Sequence, residues 1–177
     1  MKVVVLTGPE SAGKSSLCRA LAQRFGAPVV HEYVREYIEA HQRDTCYDDV
    51  EPIARAQWQR EQAARAQRSP LLLLDTHLLS NRQWSRTLFG KSPAWIDAVL
   101  ARQRYDAIFL LPPEGLPWQA DGQRCQPQLG ERQEFHAQLR AWLQWRGQPF
   151  ADVPGSWQQR YQHMEHAIAG MLRPCAS

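Results

Sequence analysis

The 177-residue chain is 44% hydrophobic and 22% charged, and its 21 basic residues nearly balance 18 acidic ones for a net charge of +3. That composition suits one soluble globular domain, spanning 1–177, with no bulk affinity for nucleic acid; Cys18, Cys46, Cys125 and Cys175 form no CxxC pair, so neither a disulfide framework nor a structural zinc site is indicated. No run approaches roughly 18 apolar residues and residues 1–6 are too short for a signal-peptide core, so a reducing cytoplasm, away from membranes, is the expected location.

Taken in chain order, short apolar runs alternate with longer stretches of helical spacing. Residues 3–6 read as the first strand, and residues 8–15, Gly8-Pro9-Glu10-Ser11-Ala12-Gly13-Lys14-Ser15, follow it at once. This segment fits G-x-x-x-x-G-K-[ST] at every fixed position. Leu17, Leu21 and Phe25 then repeat at helical spacing, and Gly26 supplies a left-handed stop. A second strand over 27–30 runs into His31-Glu32-Tyr33-Val34-Arg35-Glu36-Tyr37. Residues 50–67 read as an alanine- and glutamine-rich helix ended by Ser69-Pro70, and 71–74 as a third strand followed by Asp75, Thr76 and His77. A helix begins near Leu78, and a fourth strand covers 107–111. The segment 112–130 carries four prolines and three glycines with little periodicity, the composition of a functional lid. Phe135, Leu139, Trp142 and Leu143 stripe a further helix that stops at Gly147; a strand over 149–153 and a helix bearing Trp157, Tyr161, Met164, Ile168 and Leu172 on one face complete the pattern. Continuous apolar strands separated by helices predict a parallel sheet covered on both faces, hence an α/β fold.

The glycine-rich segment carries the chemistry. Polyphosphate is bound by successive backbone N–H groups at a helix N-terminus, where the dipole favours anions and glycines permit close approach. Gly8, Glu10, Ser11, Ala12, Gly13, Lys14, Ser15 and Ser16 are therefore assigned to nucleotide phosphate, with Lys14 bridging the β- and γ-phosphates and Ser15 reaching Mg²⁺. Asp75, at the tip of the third strand, suits the same Mg²⁺, while Asp75 or Thr76 also suits the N-cap of the helix that follows. Glu32 suits an acceptor hydroxyl as its base, or pairs with Arg35 at the surface. In the lid, Arg124 is assigned to the transferring phosphoryl group, with Arg132 either a second such cation or a solvated helix-face residue. Asp121 and Arg124 also stand close enough in sequence to pin the lid to itself. Trp58 and Trp118 are placed where a base would stack. His163 and His166, three apart, lack acidic or thiolate companions and read as ordinary helix residues.

Four groups of residues together resemble the ribosylnicotinamide kinase domain of NadR and the wider family of small NadR-like P-loop ATPases: residues 8–15, Glu32-Tyr33-x-Arg35-Glu36, Asp75-Thr76, and Pro117-Trp118 with Asp121-Gly122-x-Arg124. The resemblance runs from Lys2 to about Ile168. It implies a three-layer nucleoside-kinase-like fold with a five-stranded parallel sheet ordered 2-3-1-4-5. It also implies transfer of the ATP γ-phosphate, with Mg²⁺, to the 5′-hydroxyl of nicotinamide riboside. The acceptor would meet His31, Glu32, Tyr33 and Arg35, with Trp118 and Asp121 from the lid. His77 stands where the family usually has a second acid, and His31 where an aromatic precedes the glutamate. Kinases of other nucleosides or small alcohols, and a regulator that holds ATP without phosphorylating anything, are the alternative readings, and a homo-oligomer is compatible with either. A GTPase would need Asn-Lys-x-Asp after the fourth strand, where Pro112-Pro113-Glu114-Gly115 stands instead.

Overall fold

The computed structural model describes residues 1–173, so Cys175 lies outside the described residues. β1 (Lys2–Thr7) leads through the glycine-rich loop into α1 (Lys14–Phe25), which Gly26 ends in a left-handed turn. β2 (Val29–Val30), α2 (Tyr33–His41) and α3 (Tyr47–Ala66) follow. Then come β3 (Leu71–Asp75), α4 (Leu78–Phe89), α5 (Ala94–Arg102), β4 (Ala107–Leu110), α6 (Leu129–Trp145), β5 (Ala151–Asp152) and α7 (Trp157–Leu172). All pairings are parallel, and the order is β2-β3-β1-β4-β5. This is the three-layer α/β fold that the apolar runs and the resemblance predict.

Why the strands read as unbroken apolar runs is visible in the packing. Successive side chains point to opposite faces, and both faces are covered. Val3, Val5, Leu72 and Leu74 pack with Leu79 of α4 and Phe135 of α6, whereas Val4, Leu6, Leu71 and Leu73 pack with Leu17 and Leu21 of α1 and Met164 of α7. Each leucine so buried contributes about 1.5–3 kcal/mol relative to exposure. The register pairs Leu6 with Asp75 and Thr7 with Leu110, so the ends of β1, β3 and β4 open onto one edge.

The edge strands are shorter than their apolar runs. β2 spans two residues rather than 27–30, and β5 two rather than 149–153, because each pairs on one side only and Pro28 and Pro149 have no N–H to give. α2 and α5 are additional helices; both are short, α2 buries no residue fully, and α5 buries only Ile96 and Leu100. α3 starts three residues before position 50, where Asp49 organises its first turn. The Asp49 carboxylate accepts from the Cys46 N–H (2.8 Å), from both Arg43 Nη atoms (2.6 and 2.8 Å) and from the Tyr37 hydroxyl (2.6 Å). Arg43 above all, then the Cys46 N–H and Tyr37, hold this carboxyl far below the usual aspartate range. Its contribution to stability is therefore present above the ordinary carboxylate pKa and is lost as the pH falls below it. Asp49→Ala strands three donors and is expected to destabilise the fold by about 1–3 kcal/mol, read as a lower Tm.

At the start of α4 the N-cap is His77, not Asp75 or Thr76, and no side chain caps the helix. His77 is 1% exposed, stands edge-on to the Tyr105 ring at 5.0 Å, and burial pushes it down to about 3. It is a neutral packing residue at working pH. Trp58 likewise packs against the core instead of offering a stacking face, and Arg132 is buried in α6 instead of solvated.

Candidate active site

The loop between β1 and α1 is shaped by two close approaches. Gly8 has φ 144°, and a Cβ there would lie 2.4 Å from the Leu111 carbonyl oxygen; Gly13, the N-cap of α1, has φ 81°, and a Cβ would lie 2.8 Å from Leu116 Cδ1. Only glycine fits either position. With no side chain capping α1, the first N–H groups of that helix are left for an anion. Lys14 curls back over the loop and donates to the carbonyls of Gly8 (2.9 Å) and Pro9 (2.7 Å), which holds its ammonium at the centre of the turn. Ser15 is exposed beside it. The Ser16 hydroxyl donates to the Gly13 carbonyl (3.0 Å) and accepts from Trp157 Nε1 (2.9 Å).

Two further contacts bind this loop to the rest of the molecule. Arg160 of α7 is fully buried; it donates to the Ala12 carbonyl and the Gly155 carbonyl, each at 2.9 Å, and to the Glu114 carbonyl. The side chain of Glu10 turns the other way, into the segment between β4 and α6. It accepts from Trp118 Nε1 (2.8 Å), the Gln126 N–H (2.8 Å) and the Cys125 N–H (3.1 Å), while the Ser11 hydroxyl accepts from the Gln119 N–H (3.3 Å). The lid is thus clasped by a phosphate-loop carboxylate. Glu10→Ala is expected to speed hydrogen exchange of the Cys125 and Gln126 amides about ten- to a hundredfold, with core strands unchanged.

Beneath the loop, Asp75 is 2% exposed at the end of β3, and its Oδ1 is buried without a hydrogen-bond partner. Glu32, the N-cap of α2, caps nothing; its side chain is 17% exposed and its Oε2 lies 3.7 Å from Arg35 Nε. Burial raises the Glu32 carboxyl above the usual glutamate range; Lys14 opposes that shift and Asp75 adds to it, which places the three charges in one neighbourhood. Arg35 also holds Asp121 (2.8 Å), and Asp121 holds Arg124 (3.1 Å), so both the surface pair with Glu32 and the pinned lid are present.

These groups open on a cavity of about 720 Å³. Residues Glu10 to Ser16, Glu32, Arg35 and Arg124 line it, with Arg19 adding a further cation at the phosphate end. Gly8 and Asp75 do not line it: Gly8 is packed against the Leu111 carbonyl and Asp75 is almost fully buried. Among the acceptor-side residues, His31 is exposed and outside the cavity wall, and Tyr33 lies under the Arg60 guanidinium at 4.4 Å. Trp118 is committed to Glu10 and Asp121 to its two arginines, so neither lines the wall. The far end is built instead by Ile38, Val50, Ile53, Asn81 and Trp84. Only the spacing of Asn81, Trp84 and Leu88 along one helix face hints at this in the sequence.

Among the described residues there is no group of three or more His, Cys, Asp or Glu side chains placed to hold a metal, and no helix is long and apolar enough to cross a membrane.

Comparison with known proteins agrees with this architecture. The chain is 28% identical over 139 residues to the trifunctional NAD biosynthesis/regulator protein NadR of Escherichia coli (strain K12), and 27% identical to that of Salmonella typhimurium; the match covers 76% of this chain and 34% of each relative. The chain therefore spans about a third of the length of these curated relatives. Among solved structures, NadR in complex with NR superposes with a TM-score of 0.77 at 26% identity, over 99% of this chain and 54% of that one. A deoxyadenosine kinase from M. mycoides, at 14% identity and a TM-score of 0.63 over 95% of this chain and 99% of that one, shares the fold. The NadR-like character of the sequence is thus borne out, and with the AAA domain model matching residues 3–160, the chain belongs to the AAA domain family.

Proposed function

We propose that this chain is an ATP-dependent kinase whose acceptor is a small molecule, and specifically that it transfers the γ-phosphate of ATP to the 5′-hydroxyl of nicotinamide riboside, giving nicotinamide mononucleotide and ADP. One observation carries this reading: the phosphate loop and the Glu32 carboxylate open on the same cavity, whose other end is apolar and large enough for a nucleoside. Its resemblance to NadR, one structure of which is in complex with NR, supports the choice of acceptor.

In this reading the α1 N-terminus and Lys14 bind the phosphates, and the Lys14 ammonium offsets the charge that builds on the transferring group. Glu32 orients the acceptor hydroxyl and takes its proton, a role for which a raised pKa is an advantage, since a stronger base removes the proton more readily. Asp75 Oδ1, buried and unpartnered, and the exposed Ser15 hydroxyl fit a Mg²⁺ that takes its remaining ligands from phosphate and water, as that ion usually does. Bound there, Mg²⁺ would neutralise phosphate charge. His31, Tyr33, Trp118 and Asp121 lie outside the cavity wall and would meet the acceptor only through a rearrangement of α2 and the 112–130 segment.

The test is ADP release with nicotinamide riboside, with purine and pyrimidine nucleosides, and with no acceptor. Release that requires nicotinamide riboside is expected; nucleotide binding without acceptor-dependent release would mark a regulator and overturn the proposal. A pH profile examines Glu32. Its carboxyl must be ionised to act, and its pKa is raised, so kcat/KM should climb with pH through a limb lying above the ordinary glutamate range. Glu32→Gln should lower kcat about 10²-fold and remove that limb.

A further inference from the structure

We infer that acceptor specificity is set by α4, where Trp84 carries the acceptor's aromatic ring and Asn81 reads a hydrogen-bonding edge of that ring; this rests on the kinase reading above. The residues singled out by motif, His31 and Tyr33, do not line the cavity, whereas a row of α4 side chains does.

Asn81, Trp84, Ser85 and Leu88 recur at three- and four-residue spacing and all face the cavity from one side of α4. The Trp84 ring is backed by Phe135, with centroids 4.6 Å apart and planes at 43°, so it is an aromatic surface held by the core. Ile38 of α2 with Val50 and Ile53 of α3 add apolar lining to the same cavity. A flat ring against such a lining is favoured by area burial and, on Trp84, by offset stacking.

Asn81 is a polar residue on the α4 side of the cavity, which Ser85, Asp44 and Thr45 also line. Its Oδ1 is buried and has no hydrogen-bond partner, whereas the neighbouring Ser85 hydroxyl is already used, donating to the Lys91 carbonyl at 2.6 Å. An unpaired buried amide oxygen is unfavourable, and a ligand toward which the Asn81 amide turns removes that penalty. Because the amide offers both a carbonyl oxygen and an NH₂ group, it fits an edge that donates and accepts side by side, as a carboxamide or an amino-substituted ring nitrogen does. The acceptor class is therefore a riboside of an aromatic base with such an edge. A riboside without one would leave the amide unpaired and be selected against.

The experiment compares wild type with Asn81→Leu and Asn81→Asp, using nicotinamide riboside, adenosine, cytidine and the riboside of unsubstituted pyridine as acceptors. Wild type is expected to favour an edge-bearing riboside. Asn81→Leu should raise KM for that acceptor about ten- to a hundredfold while KM for ATP and KM for pyridine riboside stay within about threefold. Asn81→Asp, which keeps the acceptor oxygens and loses the donor, should fall between the two and serves if the leucine variant does not fold. Equal losses on pyridine riboside and edge-bearing ribosides would mark Asn81 as structural and overturn the inference, as would no change in either variant. A wild type that phosphorylates an edge-bearing riboside but is indifferent to Asn81 overturns this inference alone; one that phosphorylates none of the four overturns the proposed function with it.

Discussion

Lys14→Ala is expected to lower kcat/KM about 10³-fold while leaving the fold intact. The ammonium is only partly buried and touches two loop carbonyls, Gly8 and Pro9, which water can replace once the side chain is gone. The shape of the loop rests on other contacts, namely the Gly8 and Gly13 conformations and the bond from Arg160 to the Ala12 carbonyl. A change confined to catalysis is thus the physical expectation. Removing one preorganised positive group from a developing charge forfeits about 10²–10³ in rate where a neutral donor is lost, and a full charge stands at the upper end. Unchanged Tm with steady-state kinetics reduced by this factor is the expected pair of measurements. A folded variant that retains wild-type turnover would remove Lys14 from the reaction.

Arg124→Ala is expected to act mainly on kcat, lowering it about 10³-fold with a modest change in ATP affinity. In-line transfer passes through a loose, highly charged transition state and gains most from a cation that engages there rather than in the ground state. Arg124 lines the cavity, and its Nε lies 3.1 Å from Asp121, which Arg35 also holds at 2.8 Å. Asp121 is shared between two guanidiniums, so Arg124 can leave it for phosphate without stranding the carboxylate. The competing role is a surface pair that does no more than shape the lid, worth at most about 1 kcal/mol. In that case kinetics would be nearly unchanged, and Arg35, facing the same cavity, would take over the catalytic assignment.

Local chemistry carried most of the legible information. The phosphate loop is readable because its glycines, lysine and serine occupy fixed positions dictated by backbone approach to phosphate, and the strands because both faces of a parallel sheet demand apolar side chains. The strand order needed the family resemblance, since periodicity says nothing about which strands are neighbours. α2 and α5 are the least legible helices: each is nine residues long, and even in α5, where Ile96 and Leu100 are buried, the apolar spacing repeats only once. His77 stands where the resembled family usually has an acid; its burial against Tyr105 is a tertiary fact with no local signature. The same holds for the cavity wall. Ile38, Val50, Ile53 and Trp84 come from three helices, and only the packed fold brings them to one cavity.

Arg160 has a consequence for the order in which competence is acquired. Its bond to the Ala12 carbonyl spans 148 positions of sequence, and the same guanidinium reaches Glu114 and Gly155. During synthesis the phosphate-loop motif leaves the ribosome early, but its third anchoring direction does not exist until α7 has docked. A nascent chain therefore carries the motif for most of its elongation without one of the contacts that hold the loop. A nucleotide that binds the finished loop would stabilise most the chains in which this distant contact has closed.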